Sequence, residues 1–538
     1  MNMRVNLKSM RYKIIPSLIF PALLLAACGG NAPATSRIEL PQAYRLQSNQ
    51  FSTMLEKRTG RIAITLEDGN VVVMDQTGGN IVPITRDAQA GKAAAGNATS
   101  TNTTSAQSDV LTVYNMPVWS PDGQNLALVE ITSKRPVVSS TIELSPESVT
   151  IQRGPGSAVV ERTEQGQQIQ PVAPGSVVER RPDMVIIQRG RNTGDLVSTA
   201  LYVAQADGKR PLKELYLSNN EDIPYIDWSP DGSKISFLTH NVQDEQYAFN
   251  LVDSSGASKP NALLTGSSLF WHWHPDGEFL LTKAGSAQGN KISGSDQLAL
   301  LDPKTNATTP IGSAAEPMPF LAPSFSPDGQ FIAMTKRDGD SFKLILADSQ
   351  GKEIKTLTQF NGTISFAWAN TGSQLAYVVR QSSQIPGGAL RVVNATTGED
   401  KTLTQLPVMA FFWSPDGTHI ATFTSATMND IDPNFAGYNF APPGAREVML
   451  LQTIDVTSKT TRQLFYLEPT QAFRRLISEF DRYSRAVTIW SPDSRKLVFT
   501  LSYGIDTDSQ DYVVESESSG SLVPRILTNG ALAFWSPK

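Results

Sequence analysis

The chain has 538 residues, of which 18% are charged and 8% aromatic, a composition that excludes global disorder. Its formal net charge is −5, and residues 1–27 carry four basic and no acidic side chains, so removal of that segment would leave −9. A mildly acidic surface argues against nucleic acid as a partner.

Arg4, Lys8, Arg11 and Lys13 precede the apolar run Ile14 to Ala27, which is the pattern of an export signal. Leu25-Ala26-Ala27-Cys28 resembles the lipobox of bacterial lipoproteins. That resemblance implies a signal peptide at 1–27 and lipid on the sulfur and amine of Cys28. Cys28 is also the sole cysteine, so it has no intramolecular disulfide partner. Several acyl chains on one residue anchor stably where a single chain is marginal. Residues 28–59 begin with small residues and read as a tether.

Arg61 to Thr85 reads as three strands, Arg61–Thr65, Asn70–Asp75 and Asn80–Thr85. Ala88 to Asp109 is an Ala/Gly/Ser/Thr/Asn tract, expected to be a flexible surface loop. A motif then begins to recur: Trp119-Ser-Pro-Asp-Gly, Trp228-Ser-Pro-Asp-Gly, Trp273-His-Pro-Asp-Gly, Phe325-Ser-Pro-Asp-Gly, Trp413-Ser-Pro-Asp-Gly and Trp490-Ser-Pro-Asp-Ser. Trp368-Ala-Asn-Thr-Gly is a degenerate copy, and Trp535-Ser-Pro is a shortened one. Each follows an apolar stretch and precedes an alternating apolar and polar one. Pro presets φ in the turn, Asp bonds its own backbone, and Gly supplies the left-handed residue, so one copy is a β-hairpin. A second pair of strands follows, such as Lys343–Asp348 and Glu353–Leu357. Four strands recurring every ~40–45 residues make the blade of a β-propeller.

The spacing is 45 residues from Trp228 to Trp273, from Trp368 to Trp413 and from Trp490 to Trp535, and 43 from Phe325 to Trp368. Two intervals are long, 109 residues after Trp119 and 77 after Trp413. Residues 132–196 of the first contain no Phe, Trp or Tyr, so an independent core there is not expected. They hold mirrored segments. Val149–Gly154 is expected to pair with Val185–Gly190, and Gly156–Arg162 with Gly175–Arg180, as an antiparallel ribbon with Thr163 to Pro174 at its tip. A solvated loop is the alternative. The second interval includes a Pro/Gly/Asn-rich loop, Asp430 to Glu447. At 470–486, Phe473, Leu476, Ile477, Phe480 and Tyr483 fall at helical spacing, which predicts an amphipathic helix packed on the propeller rim.

Ala531 to Trp535 reads as a first strand without its other three, and Arg61 to Thr85 as three strands without a motif tryptophan. Joined, they complete a blade and remove two open sheet edges. The expected fold is therefore all-β, a single propeller over 60–538 with eight four-stranded blades, seven being the alternative. The repeats resemble those of the TolB-like propellers, found also in the propeller domains of prolyl-oligopeptidase-type peptidases.

Chemistry is sparse. No nucleophile elbow, zinc-protease helix or phosphate-binding glycine loop is written in the chain. His272 and His274, two apart on a predicted strand, share a face, but two ligands are too few for a metal site, so no metal or cofactor is expected. The motif aspartates occupy one turn slot each and are structural. The eight motif aromatics Trp119, Trp228, Trp273, Phe325, Trp368, Trp413, Trp490 and Trp535 are expected to pack, not to touch a ligand. Residues just before them read mostly apolar or small, which favours binding over catalysis. The expectation is a lipid-anchored envelope propeller that binds or scaffolds unidentified envelope proteins. The alternative is a hydrolase or lyase with its site in the central funnel.

Overall fold

A computed structural model describes residues 60–88, 110–134 and 196–538, apart from 242, 244–245, 267, 286–295, 315–322, 381–386, 432–434, 443–447, 505–509 and 522. Between 141 and 188 it describes the backbone of six strands. The signal segment, Cys28, the tether and most of the 88–109 tract lie outside the described residues.

The motif folds as its chemistry requires. In the copy at 119–123, Gly123 donates its N–H to Ser120 O at 2.8 Å with φ at 69°, closing the turn. Ser120 Oγ donates to Asp122 Oδ1 at 2.5 Å and accepts from Asn125 N at 2.9 Å. Ser229, Ser326, Ser414 and Ser491 repeat both bonds within their own turns. The hydroxyl therefore joins the turn aspartate to the strand that leaves the turn. It also holds the Asp122 and Asp231 carboxyls below the usual carboxylate range. The aspartates are spent on these turns.

Among the described residues the chain is nearly all strand, arranged in successive antiparallel sheets. The first sheet runs Val82–Pro83, Val71–Asp75, Arg61–Thr65 and then Leu532–Trp535 from the far end of the sequence. Ile62 lies opposite Trp535, and Thr65 opposite Leu532. The second sheet carries the long insertion between two of its strands, Asn125–Lys134 and Leu196–Gln205. Three further four-stranded sheets follow, starting at Glu221, Ser268 and Ser324. The strand Asp400–Trp413 then serves two sheets at once. Its first part is the last strand of the sheet that begins at Thr363, and its second part is the first strand of the next. The final sheet has three strands, Lys496–Tyr503, Gln510–Glu517 and Arg525–Asn529, with Trp490 bridged to Leu497 in the innermost place.

Five of the motif tryptophans donate their indole N–H to a backbone carbonyl of the preceding sheet. Trp228 Nε1 donates to Val118 O, Trp368 to Ser324 O, Trp413 to Ala367 O and Trp490 to Phe412 O, at 2.9–3.1 Å. Trp119 Nε1 donates to Phe534 O at 3.3 Å, which links the second sheet to the strand contributed by residues 532–535. Trp273 differs: it and Trp271 both donate to Ser236 Oγ, which in turn donates to Asp227 O. A hydroxyl accepts twice and donates once, so Ser236 is fully used.

Two expectations need correction. The mirrored segments of the insertion do not pair with each other. Val149–Gln152 pairs with Ala158–Thr163, which pairs with Gly166–Pro171. Val177–Arg180 pairs with Val185–Gln188, which pairs with Thr141–Leu144. Three of these pairings join sequence neighbours, which lose less closure entropy than distant ones, while Thr141–Leu144 with Val185–Gln188 closes across the insertion. Secondly, the predicted helix is real but sits against inner strands, not the rim. It forms as α1, Gln471–Ser478, and α2, Phe480–Tyr483. Phe473 packs edge-on to Phe423, and Phe480 lies 4.7 Å from Phe411 between ring centroids. At its far end Tyr483 meets Tyr225, and its hydroxyl donates to Pro224 O at 3.1 Å. Phe411 and Pro224 belong to different sheets, so the helical segment bridges two sheets distant in sequence.

Candidate functional site

The turns bring the motif residues to one end of the axis, where they enclose a cavity of about 510 Å3. Prolines of six motif copies ring it, from Pro121 to Pro537. Seven of the eight motif aromatics wall it, Trp490 being the exception. These aromatics do pack, with Trp119, Trp228, Trp273 and Trp413 only 5–6% exposed. Their presence on a cavity wall is a role the repeat pattern alone does not show.

Three ionisable groups line the cavity: Asp227, His272 and Arg485. Asp227 and His272 come from the innermost strands, each just before its motif tryptophan, and Ser324 holds the same position before Phe325. These positions are mostly apolar or small, as expected, with Asp227 and His272 the two ionisable ones. Arg485 comes from the segment after α2, which belongs to no repeat, so repeat spacing gives no sign of it. All three lie deep in the molecule yet keep partial exposure, because they face the cavity and not packed side chains.

Burial sets the electrostatics. It pushes the Asp227 carboxyl up to about 7, against the pull of the Trp228 amide and the Arg485 guanidinium. Burial likewise drives His272 well below the ordinary imidazole value, helped by Arg485 and His274. The hydrogen bonding agrees: Phe325 N–H donates to His272 Nδ1 at 3.2 Å, so that nitrogen is the acceptor and Nε2 carries the proton. Below Arg485, burial raises Asp481 while Arg380, Arg485 and Arg482 oppose it. Arg380 donates to Ser365 Oγ and Met409 O. Two hydroxyls of cavity-lining residues, Ser324 Oγ and Ser484 Oγ, are buried without a hydrogen-bond partner.

His272 and His274 do not converge. His274 stands in the motif serine slot, with Nδ1 2.6 Å from Asp276 Oδ1 but outside hydrogen-bond geometry, and its ring packs on Phe279 and Phe325. Among the described residues no group of three His, Cys, Asp or Glu side chains is placed to hold a metal. No helix among them is long and apolar enough to cross a membrane.

No protein-family model matches the chain, and no curated protein matches it. Solved structures do. TolB from Acinetobacter baumannii is 17% identical, aligning 61% of this chain with 81% of that one at a TM-score of 0.33. An oligogalacturonate lyase in complex with manganese is 12% identical over 71% of this chain and 84% of its own, TM-score 0.38. A eukaryotic initiation factor is 10% identical over 89% and 99%, TM-score 0.42. Such diverse neighbours at such low identity leave function to be argued from this chain's own residues.

Proposed function

We propose that the protein is an exported, lipid-anchored propeller of the cell envelope that binds or scaffolds other envelope proteins. In this reading the mature chain begins at lipidated Cys28, and its eight blades form a ring closed by the two terminal strands. The ring stands on the periplasmic or cell-surface side of the membrane. The lipobox supports the anchor. The pairing of Arg61–Thr65 with Leu532–Trp535, and the Trp119 indole bond to Phe534 O, support the closed ring.

The observation that carries the binding role is the base of the insertion. Asn125–Lys134 and Leu196–Gln205 pair from Asn125 opposite Gln205 up to Ser133 opposite Leu196. The sheet is complete without the inserted residues, so the insertion is an arm carried by the ring and not part of it. Its two small sheets end in strands with one unpaired side among the described residues, and such edges accept a partner strand. Replacing Ser145 to Asn192 by a glycine bridge is expected to leave the melting temperature within a few degrees. Crosslinked envelopes should then yield none of the proteins retained by the intact chain. An arm-less protein that still retrieves them all refutes the role. The anchor is tested separately: Cys28→Ser should abolish incorporation of a fatty-acid analogue.

One observation favours the alternative, a hydrolase or lyase. A carboxyl titrating near 7 and a neutral imidazole share one cavity, the kind of pairing found at catalytic centres.

A further inference from the structure

We propose that the axial cavity is a binding site for a small monocarboxylate with an apolar, ring-bearing body. The inference is independent of the arm and of any reaction in the cavity. It rests on what the wall offers. A cavity of about 510 Å3 falls within the usual range for small-molecule sites. Its lining includes seven motif aromatics and six turn prolines, which suit a flat apolar body.

Its polar groups gather toward one kind of ligand. Among the described residues Arg485 is the one Lys or Arg lining the cavity, and a guanidinium matches a carboxylate through two parallel N–H donors while still serving a partner within the protein. His272 offers a neutral imidazole whose proton is fixed on Nε2 by the Phe325 amide at Nδ1. The hydroxyls of Ser324 and Ser484, on two lining residues, have no hydrogen-bond partner among the described residues, and each would have to turn toward the cavity to donate to a ligand. Asp227 is the one acidic side chain among the described residues lining the cavity, and burial favours its protonated form, in which it also donates. Asp481, outside the lining, is a second carboxyl that interacts with Arg485, and burial raises it too. One fixed positive charge surrounded by neutral donors balances one negative charge. A dianion such as a phosphate monoester would leave a charge uncompensated beside Asp227, in a setting where unpaired charge is costly.

The test is titration of the full-length protein with benzoate, benzamide and phenyl phosphate, read by intrinsic tryptophan fluorescence and by melting temperature. Benzoate is expected to bind saturably and to raise the melting temperature. Benzamide, of the same shape without the charge, should bind at least about tenfold more weakly, and phenyl phosphate more weakly than benzoate. Arg485→Gln should lose the preference for benzoate over benzamide. Ala367→Leu, which adds bulk to the cavity lining and removes no charge, should lose binding of both and keeps the test decisive if Arg485→Gln does not fold. The proposal is overturned if benzoate fails to bind, if benzamide equals it, if phenyl phosphate binds more tightly, or if benzoate binding survives in Ala367→Leu.

Discussion

Asp227 shows how one residue's surroundings set its behaviour. Its folded pKa of about 7 lies above the ordinary value of 3.8 because burial penalises the anion. The folded state therefore holds a proton that the unfolded chain has already released between those values, and stability falls as pH rises through that window. Asp227→Asn removes the titration. The melting temperature of the variant relative to the parent is expected to rise by at least about 2 °C between pH 4 and pH 8. A difference that stays flat across this range would show that the carboxyl is not held protonated. Ser414 makes a second case, since the motif serine looks dispensable in sequence beside Trp413. It is fully buried, with its Oγ bonded to both Asp416 and the His419 amide. Ser414→Ala is expected to cost about 1–3 kcal/mol, and Trp413→Ala ~3–5 kcal/mol. Denaturant midpoints should fall for both variants, further for the tryptophan.

At the scale of elements, α1 depends on Thr470, which is fully buried and caps the helix by accepting from Phe473 N at 3.1 Å. The same hydroxyl donates to Ala531 O at 2.6 Å, tying the helix to the C-terminal strand's approach. Thr470→Ala is expected to cost about 1–2 kcal/mol, while Thr470→Ser should restore most of it, as read by thermal melts. Both the helix and its cap were legible, because apolar residues three and four apart at 473–483 specify a buried face. What that stripe meets was not legible: periodicity says that a face is buried and not against which neighbour. The insertion teaches the same lesson. Alternating β-branched residues mark strands, but not their partners: most pair with a sequence neighbour, and Thr141–Leu144 pairs with the distant Val185–Gln188. The blades were readable from the Ser-Pro-Asp-Gly turn. The cavity was not, since Arg485 lies outside the repeat and Asp227 and His272 are exceptions within it.

At the scale of the molecule, the last sheet meets the first by direct apolar packing of Ile62, Ile64, Val72 and Met74 with Val498, Val513 and Leu527, and by two further contacts that a truncation treats differently. One is polar. Glu515, 3% exposed, pairs with Lys496 at 3.0 Å and Arg525 at 2.8 Å, and Arg525 Nη2 reaches Gln76 O in the first sheet. The other is the strand Leu532–Trp535, with Leu532, Phe534 and Trp535 no more than 3% exposed. Deleting Gly530 to Lys538 leaves the polar link intact. It removes three buried side chains worth roughly 1.5–3 kcal/mol each, together with the pairing of Ile62 to Thr65 and the acceptor for Trp119 Nε1. The loss approaches the ~5–15 kcal/mol that holds a typical domain folded. A buried ion cluster is a weak source of net stability by comparison. The truncated protein is therefore expected to melt well below the intact one, and to associate through the exposed edge of Arg61–Thr65 when its concentration is raised. Light scattering and thermal melts would show both effects. A truncated protein that melts like the full chain and stays monomeric would mean that the terminal strands do not close the ring.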